Sequence, residues 1–469
     1  MSLRTPYLLK REAGQEQPYW KAGPFKIRLP LIHYPLESIE ALQGVVLVVV
    51  GLAIIPLMET HLGVPYEVGL TWAVLSMALY LLPVTLGVPF VPGWITPALP
   101  LVVIFLGNYE PGPDAVKALV ALHLMVSAIF FVLYITKLGG RIVHAIPVSI
   151  KGGILIGVGI AAIYGEIGED GQITETPISI IVGGLVCLFG LFSVSLGRLR
   201  LRSKIAARIA NYGILPGLIV AMLVGWMTAE YPLPDIQWGL TEIDLTQAWQ
   251  YSPFVLGFPG IDMFVAAIPT ALIAYIIAYG DIIVGEEIVK RESRTRTDEI
   301  LEIDIDRLHL ATGIRNLLHG LFAPHPGLAG PIFTAVTTSI SARFAFGRRA
   351  MESLYSGVGT FYFVASAAIF FLPLITLFQP VLPIALSLTL LITGYVCMLI
   401  GMAQLKTSTQ QGIAGITGVV LAIEGTLWGI ATGIVLYILL ERTSLFPAAR
   451  TPSPKPGSGT ESEIPAPER

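Results

Sequence analysis

The sequence predicts an all-α polytopic membrane protein: fourteen transmembrane segments in a seven-plus-seven inverted repeat, with short, discontinuous third and tenth spans. Three observations predict it: recurrent apolar runs, basic loops alternating with acidic or neutral ones, and a paired proline–glycine pattern. Of 469 residues, 54% are hydrophobic and only 13% charged, with a mean hydropathy of +0.74. Soluble domains carry about 25% charged residues, and the apolar runs recur at membrane-spanning length from about residue 42 to residue 441. A net charge of −3 offers nothing to nucleic acid. Cys187 and Cys397 fall inside apolar runs, away from any CxxC or His-rich spacing, and read as buried, inert thiols.

The first repeat is placed at residues 37–230, with spans near 38–58, 67–87, 92–107, 114–136, 142–164, 177–197 and 211–229. The second occupies 261–442, with spans near 261–289, 305–323, 327–344, 353–377, 380–404, 409–423 and 425–441. Residues 231–260 read as an extracytoplasmic loop. Residues 1–36 read as a cytosolic segment, charged and proline-rich, with no apolar signal-peptide region. The Pro/Ser/Glu-rich 443–469 tail is expected to be disordered and too short for a further folded domain.

Loop charge sets the orientation, because cytoplasmic loops retain Lys and Arg. Basic residues gather in the N-terminal segment, in "GRLRLRSKIAAR" after span six, in "KRESRTRTDE" after span eight, and at Arg343, Arg348 and Arg349 after span ten. The intervening "GEIGEDGQITETP" and "AEYPLPDIQWGLTEIDLTQAWQYSP" contain none. Both termini are therefore expected in the cytoplasm of a multi-pass protein of the cell (inner) membrane. An odd number of spans per half then inverts the second half relative to the first.

Spans three and ten both open on Pro-Gly-x-x-x-Pro: Pro92-Gly93 to Pro97, and Pro326-Gly327 to Pro331. Of six Pro-Gly pairs in the chain, only these two carry a proline at that spacing, and they fall at equivalent places in the two halves. A helix that starts at mid-membrane presents free N–H groups and a partial positive charge. Proline suits its first turn, where the missing N–H has no partner to lose. Two such starts would cradle an anion or a polar carbonyl compound; a pair of ordinary proline kinks is the alternative. The cradle is assigned to Thr96, Pro97, Ala98 and Leu99, and to Leu328, Ala329, Gly330, Phe333 and Thr334, with Tyr275 and Tyr279 as neighbouring rings.

Among ionisable residues inside spans, Asp281 is the strongest candidate for ion coupling, and solvation near the cytoplasmic end beside Glu286 and Glu287 is the plainer reading. Lys151 is expected to reach the interface, and Glu59, His61 and Glu424 to lie at outer ends. His123 reads as a hydrogen-bonded packing residue. Arg315 and His319 either pair with Asp281 or neutralise a buried face. No Gly-Lys dipeptide occurs, so the nucleotide-binding GxxxxGK[ST] pattern is absent, and so are HExxH and GxSxG. Neither an enzyme nor an ATP-driven pump is expected, nor any metal or organic cofactor beyond a coupling Na⁺ or H⁺.

The stretches "HLGVPYEVGLTWAVL", "ITPALPLVV", "IPTALIAYIIAYGD" and "GIRNLLHGLFAPHPG" resemble the superfamily that joins sulfate-permease-type (SulP) anion transporters with uracil/xanthine permeases (nucleobase–cation symporters). Gly313, Asn316, Gly320, Phe322 and Pro326-Gly327 match its span-nine-to-ten signature. The resemblance covers about residues 40–405. It implies core and gate domains, a site between spans three and ten, and a homodimer. Asp281 falls at the span-eight carboxylate position of the SulP branch. The glutamates of the uracil branch would fall at Ile277 and near Ile332, where no acid stands, and the SulP cytosolic regulatory domain has no counterpart. The expected function is secondary-active transport of a small anion or anion-like polar solute, by an elevator movement coupled to Na⁺ or H⁺. A nucleobase permease with a rebuilt site and a passive anion channel are the alternatives, and membrane lipid is the surrounding partner.

Overall fold

A computed structural model of the chain describes residues 5–138, 145–169, 171–196, 198 and 214–442. The predicted span starts at 142–144 and 211–213, Arg141, nearly all of the basic loop after span six, and the 443–469 tail lie outside the described residues.

In chain order, a hairpin of β1 (Trp20–Ala22) and β2 (Phe25–Ile27) precedes α1 (Ser38–Leu52), α2 (Ile55–Leu62) and α3 (Tyr66–Thr85). Then come β3 (Gly93–Trp94), a 3₁₀ turn over Thr96–Ala98, α4 (Leu99–Leu106), α5 (Pro113–Thr136), α6 (Val148–Ile167), α7 (Pro177–Phe192) and α8 (Leu215–Thr228). Short α9 (Leu245–Gln250) and α10 (Pro253–Leu256) lead into α11 (Ile261–Ser293), α12 (Ile305–Phe322), β4 (Ala329–Gly330), α13 (Thr334–Phe344) and α14 (Leu354–Ala368). The last helices are α15 (Leu372–Phe378), α16 (Leu382–Gln404), α17 (Ser408–Glu424) and α18 (Thr426–Leu436). Among the described residues, six helical stretches are long and apolar enough by themselves to cross a membrane.

Local chemistry explains many of the starts. Proline occupies the first turn of α4, α5, α7 and α8. Capping boxes open α14 (Ser353 with Ser356) and α17 (Thr407 with Gln410), and the Asp304 carboxylate accepts from the Arg307 N–H at the start of α12. One expectation is corrected. The predicted span 353–377 is broken: α14 stops at Ala368, and the turn before α15 is held by the 231–260 segment through Thr241 N–H to Phe370 O (2.9 Å) and Leu372 N–H to Gly239 O (3.2 Å). Within the mostly helical architecture, β1 pairs with β2 and β3 with β4.

The packing pairs obey an inverted repeat. α11 packs on α5 as α1 packs on α14, and α12 on α5 as α3 on α14. Likewise α17 packs on α6 as α7 packs on α16, and the terminal pairs α7–α8 and α17–α18 correspond. The helices thereby sort into a core bundle (α1–α5, α11–α14) and a gate bundle (α6–α8, α16–α18). Inside the gate, glycines let backbones touch: a Cβ on Gly159 would lie 2.7 Å from Gly394 O, and one on Gly157 2.7 Å from Gly418 O.

Among the described residues, ion pairs fasten the N-terminal segment to the core. Arg11 meets Asp298 at 3.0 Å, Arg28 meets Glu16 at 2.7 Å, and Lys26 bridges Glu16 (2.6 Å) and Glu302 (2.9 Å). Arg296 also grips Asp298 (2.7 Å), and Arg343 pairs with Glu37 and Glu40 at the start of α1. Every partner lies in the segment itself, in the loops between α11 and α12 or α13 and α14, or at the edge of a core helix. The Arg296 guanidinium, with that of Arg11, holds the Asp298 carboxyl well below the usual carboxylate range. A depressed folded-state pKa stabilises above the unfolded value, about 4, and the stabilisation is lost as pH falls. Asp298→Asn is therefore expected to lower the melting temperature of the detergent-purified protein by a few degrees near neutral pH. The gap from wild type should close below about pH 4; a gap that stays constant into acid would contradict the assignment.

Candidate functional site

The two Pro-Gly segments are joined to each other. β3 and β4 run antiparallel, with Gly93 opposite Gly330 and Trp94 opposite Ala329. The pairing extends outward through Ile95 N–H to Leu328 O (2.8 Å) and Phe333 N–H to Val91 O (2.6 Å). The Thr337 hydroxyl accepts from Val91 N–H at 3.3 Å. Both glycines are required by close approach: a Cβ on Gly93 would stand 2.8 Å from the Phe333 Cβ, and one on Gly330 2.8 Å from the Trp94 backbone. Because the strands are antiparallel, α4 and α13 leave the crossing in opposite directions with both N-termini at its centre. Neither helix has a side-chain cap there, so first-turn N–H groups and both positive dipole ends are presented at one place.

Behind the ribbon, α12 supplies the partners of its backbone. Asn316 donates to Ala329 O (2.8 Å) and accepts from Ala329 N–H (3.1 Å). His123 of α5 contacts Asn316 Oδ1 (3.3 Å) and bonds His325 O (2.8 Å), in line with its expected packing role. Arg315, fully buried, donates from Nη2 to Gly330 O (2.9 Å) and to Gly93 O. It does not reach Asp281, and His319 is turned to Ser76 and Ala323. Of the two options the sequence left open for this pair, the buried face is the one observed. The signature glycines are spacers: a Cβ on Gly313 would lie 2.7 Å from the Phe131 ring, and one on Gly320 3.1 Å from His123 Cβ.

In front, the Thr334 hydroxyl, on the first residue of α13, donates to Asp281 Oδ1 at 2.7 Å. Asp281 is half-buried on α11, the core helix that packs against α18 of the gate. Thr96, Pro97, Phe333 and Thr334 are half-buried and Ala335 is exposed, whereas Ala98, Leu99, Leu328, Ala329 and Gly330 are buried in the protein. The second group forms the frame of the crossing and the first its accessible rim. Tyr275 and Tyr279 do not join them. Tyr275 packs edge-on to Phe130 and its hydroxyl meets His309 at 3.2 Å, with Tyr279 beside it. At 100° per residue they lie about 120° and 160° around α11 from Asp281, so the face that carries Asp281 turns them toward α5 and α12. Sequence reading passed over Asn316 as a ligand of the ribbon, Thr337 and His325; a polar residue within an apolar span was their only signal. Among the described residues, no group of three or more His, Cys, Asp or Glu side chains is positioned to hold a metal ion.

Comparison with known proteins agrees with this architecture. The model of a permease family of the xanthine/uracil type matches residues 37–329. The transmembrane domain of BicA, a bicarbonate transporter from a cyanobacterium, superposes with a TM-score of 0.53 at 14% identity, over 84% of this chain and 97% of that one. SLC26A9 superposes with the same TM-score and identity, over 86% of this chain but 65% of its own length. At this identity both likenesses establish the fold. No curated protein matches the chain by sequence.

The ribbon's tolerance can be tested with single methyl groups. Gly330→Ala drives a Cβ into backbone and is expected to cost about 1–3 kcal/mol, read as a lower melting temperature and a smaller monodisperse yield. Gly280→Ala, in open space on α11, should be neutral or slightly stabilising. Equal behaviour of the two variants would contradict the close crossing.

Proposed function

The chain belongs to the permease family, and on that premise we propose that it is a secondary-active membrane transporter of a small anion or anion-like polar solute. One observation carries the reading: the positive ends of α4 and α13 converge on a paired ribbon, with Thr334 and Asp281 at its accessible rim. Uncapped N–H groups bind an anion without a cationic side chain. A carboxylate beside them supplies the complementary half, a site for Na⁺ or for a proton. Substrate and coupling ion then neutralise each other across one helix terminus, and each strengthens the binding of the other.

The turned-away tyrosines favour an anion over a nucleobase. Ring stacking at the rim falls to Phe333 alone, and buried Ile277 and Ile332 stand where hydrogen-bonding acids would be needed. The division into two bundles, with the N-terminal ion pairs among the described residues made to the core, supports movement of the core as one body against the gate. In this reading the protein sits in the cell membrane with both termini cytoplasmic.

The test is uptake by purified protein in liposomes, offering bicarbonate, sulfate, dicarboxylates, uracil and xanthine under imposed Na⁺ and H⁺ gradients. Saturable anion uptake that rises with one gradient is expected. Asp281→Asn should reduce gradient-driven uptake at least tenfold while leaving the melting temperature within a few degrees of wild type. Uptake indifferent to either gradient would make the protein a channel, and uptake of uracil or xanthine alone would make it a nucleobase permease.

A further inference from the structure

Arg315 is unlike the other buried arginines of this protein. Arg11, Arg28, Arg296 and Arg307 each meet a carboxylate within ion-pair distance. Arg315 is fully buried midway along α12 and meets none among the described residues. Its compensation is partial: the carbonyls of Gly93 and Gly330 on Nη2, and the Tyr80 ring 4.8 Å from its guanidinium carbon. Nε and Nη1 have no hydrogen-bond partner among the described residues. The groups that face it are phenols and imidazoles: Tyr80 and Tyr362, which stack on each other, and His319 one turn along α12, with His123 and His325 ringed against it. A guanidinium cannot shed its proton, and an unpaired ion at such a site costs several kcal/mol.

What this cost secures is set by where the charge stands. The two carbonyls that Arg315 holds belong to the opposed pair Gly93–Gly330, from which α4 and α13 depart. A full positive charge therefore lies directly behind the point at which two helix dipoles already converge, shut off from solvent by the ribbon. We infer that Arg315 is a specificity-determining residue: through the ribbon, its uncompensated charge selects anions over neutral solutes of similar size, without touching the substrate. The inference rests on the reading of the crossing as an anion transport site. A unit charge acting across one layer of backbone, at an effective dielectric near 20, changes anion affinity by about tenfold or more.

The test compares Arg315→Gln with Arg315→Lys in liposomes, measuring KM for bicarbonate or nitrate and for the neutral solute urea or uracil. Gln removes the charge; Lys keeps it but cannot reproduce the forked contact to two carbonyls. The expected result is an anion KM raised at least tenfold in Arg315→Gln, restored to within about threefold of wild type in Arg315→Lys, with no matching rise for the neutral solute. Equal impairment of the two variants would mean that Arg315 only ties the strands, and would overturn the inference. If Arg315→Gln fails to fold, His319→Glu places a carboxylate one turn from the intact arginine, with His319→Gln as its uncharged control. A tenfold rise in anion KM for Glu but not Gln supports the inference, and equal values overturn it. The wild-type protein separates the two levels: absence of anion uptake there removes the transport reading itself, whereas anion uptake insensitive to these charges removes only the role of Arg315.

Discussion

Backbone N–H and C=O groups at the depth of a bilayer have no water to bond, and leaving each unpaired costs several kcal/mol. A chain that interrupts two spans at that depth must supply partners from within. Here each interrupted segment is the partner of the other, through the pairing of Gly93–Trp94 with Ala329–Gly330. The remaining acceptors are met from behind by Asn316 and Arg315. Prolines at the helix starts, glycines at the crossing and amide and guanidinium groups on α12 are separate solutions to that one requirement. The uncapped N-termini are the part left unsolved, and they are where a ligand has something to gain.

The same economy appears in the bundles. Core helices are held together by charge and polar contacts: Arg343 of α13 pairs with Glu37 and Glu40 at the start of α1, and Arg307 of α12 bonds Pro24 O of the N-terminal segment and Gly87 O after α3. Gate helices are held by close backbone contact at glycines. Between the bundles the contacts are sparser and involve α1 and α2 together with α4, the 3₁₀ turn at Thr96–Ala98 and α11, the last three of which carry the candidate site. Asp281 is carried by α11, one of these boundary elements, and accepts the Thr334 hydrogen bond at the crossing.

Much of this was legible in the chain. Proline–glycine spacing located both interrupted helices, and the alternation of basic and acidic loops implied the inversion that the mirrored packing pairs display. The two-residue strands were not legible, because a pairing so short leaves no periodicity and its partners are far apart in sequence. The placing of Tyr275 and Tyr279 at the site is a different kind of miss: helical phase relative to Asp281 was available in the sequence and separates them from it. For Arg315, the sequence could state that a charge lies within an apolar span, but only the fold reveals that no acid among the described residues answers it.

The ribbon also constrains the order in which the protein can be made. Its first strand is synthesised more than two hundred residues before its second, which at ribosomal rates of about 5–20 residues per second is a wait of roughly 10–50 s. During that interval the first half holds open backbone at membrane depth with nothing of its own to close it. Neither strand has its partner within its own half, so the crossing closes only once both halves are in place.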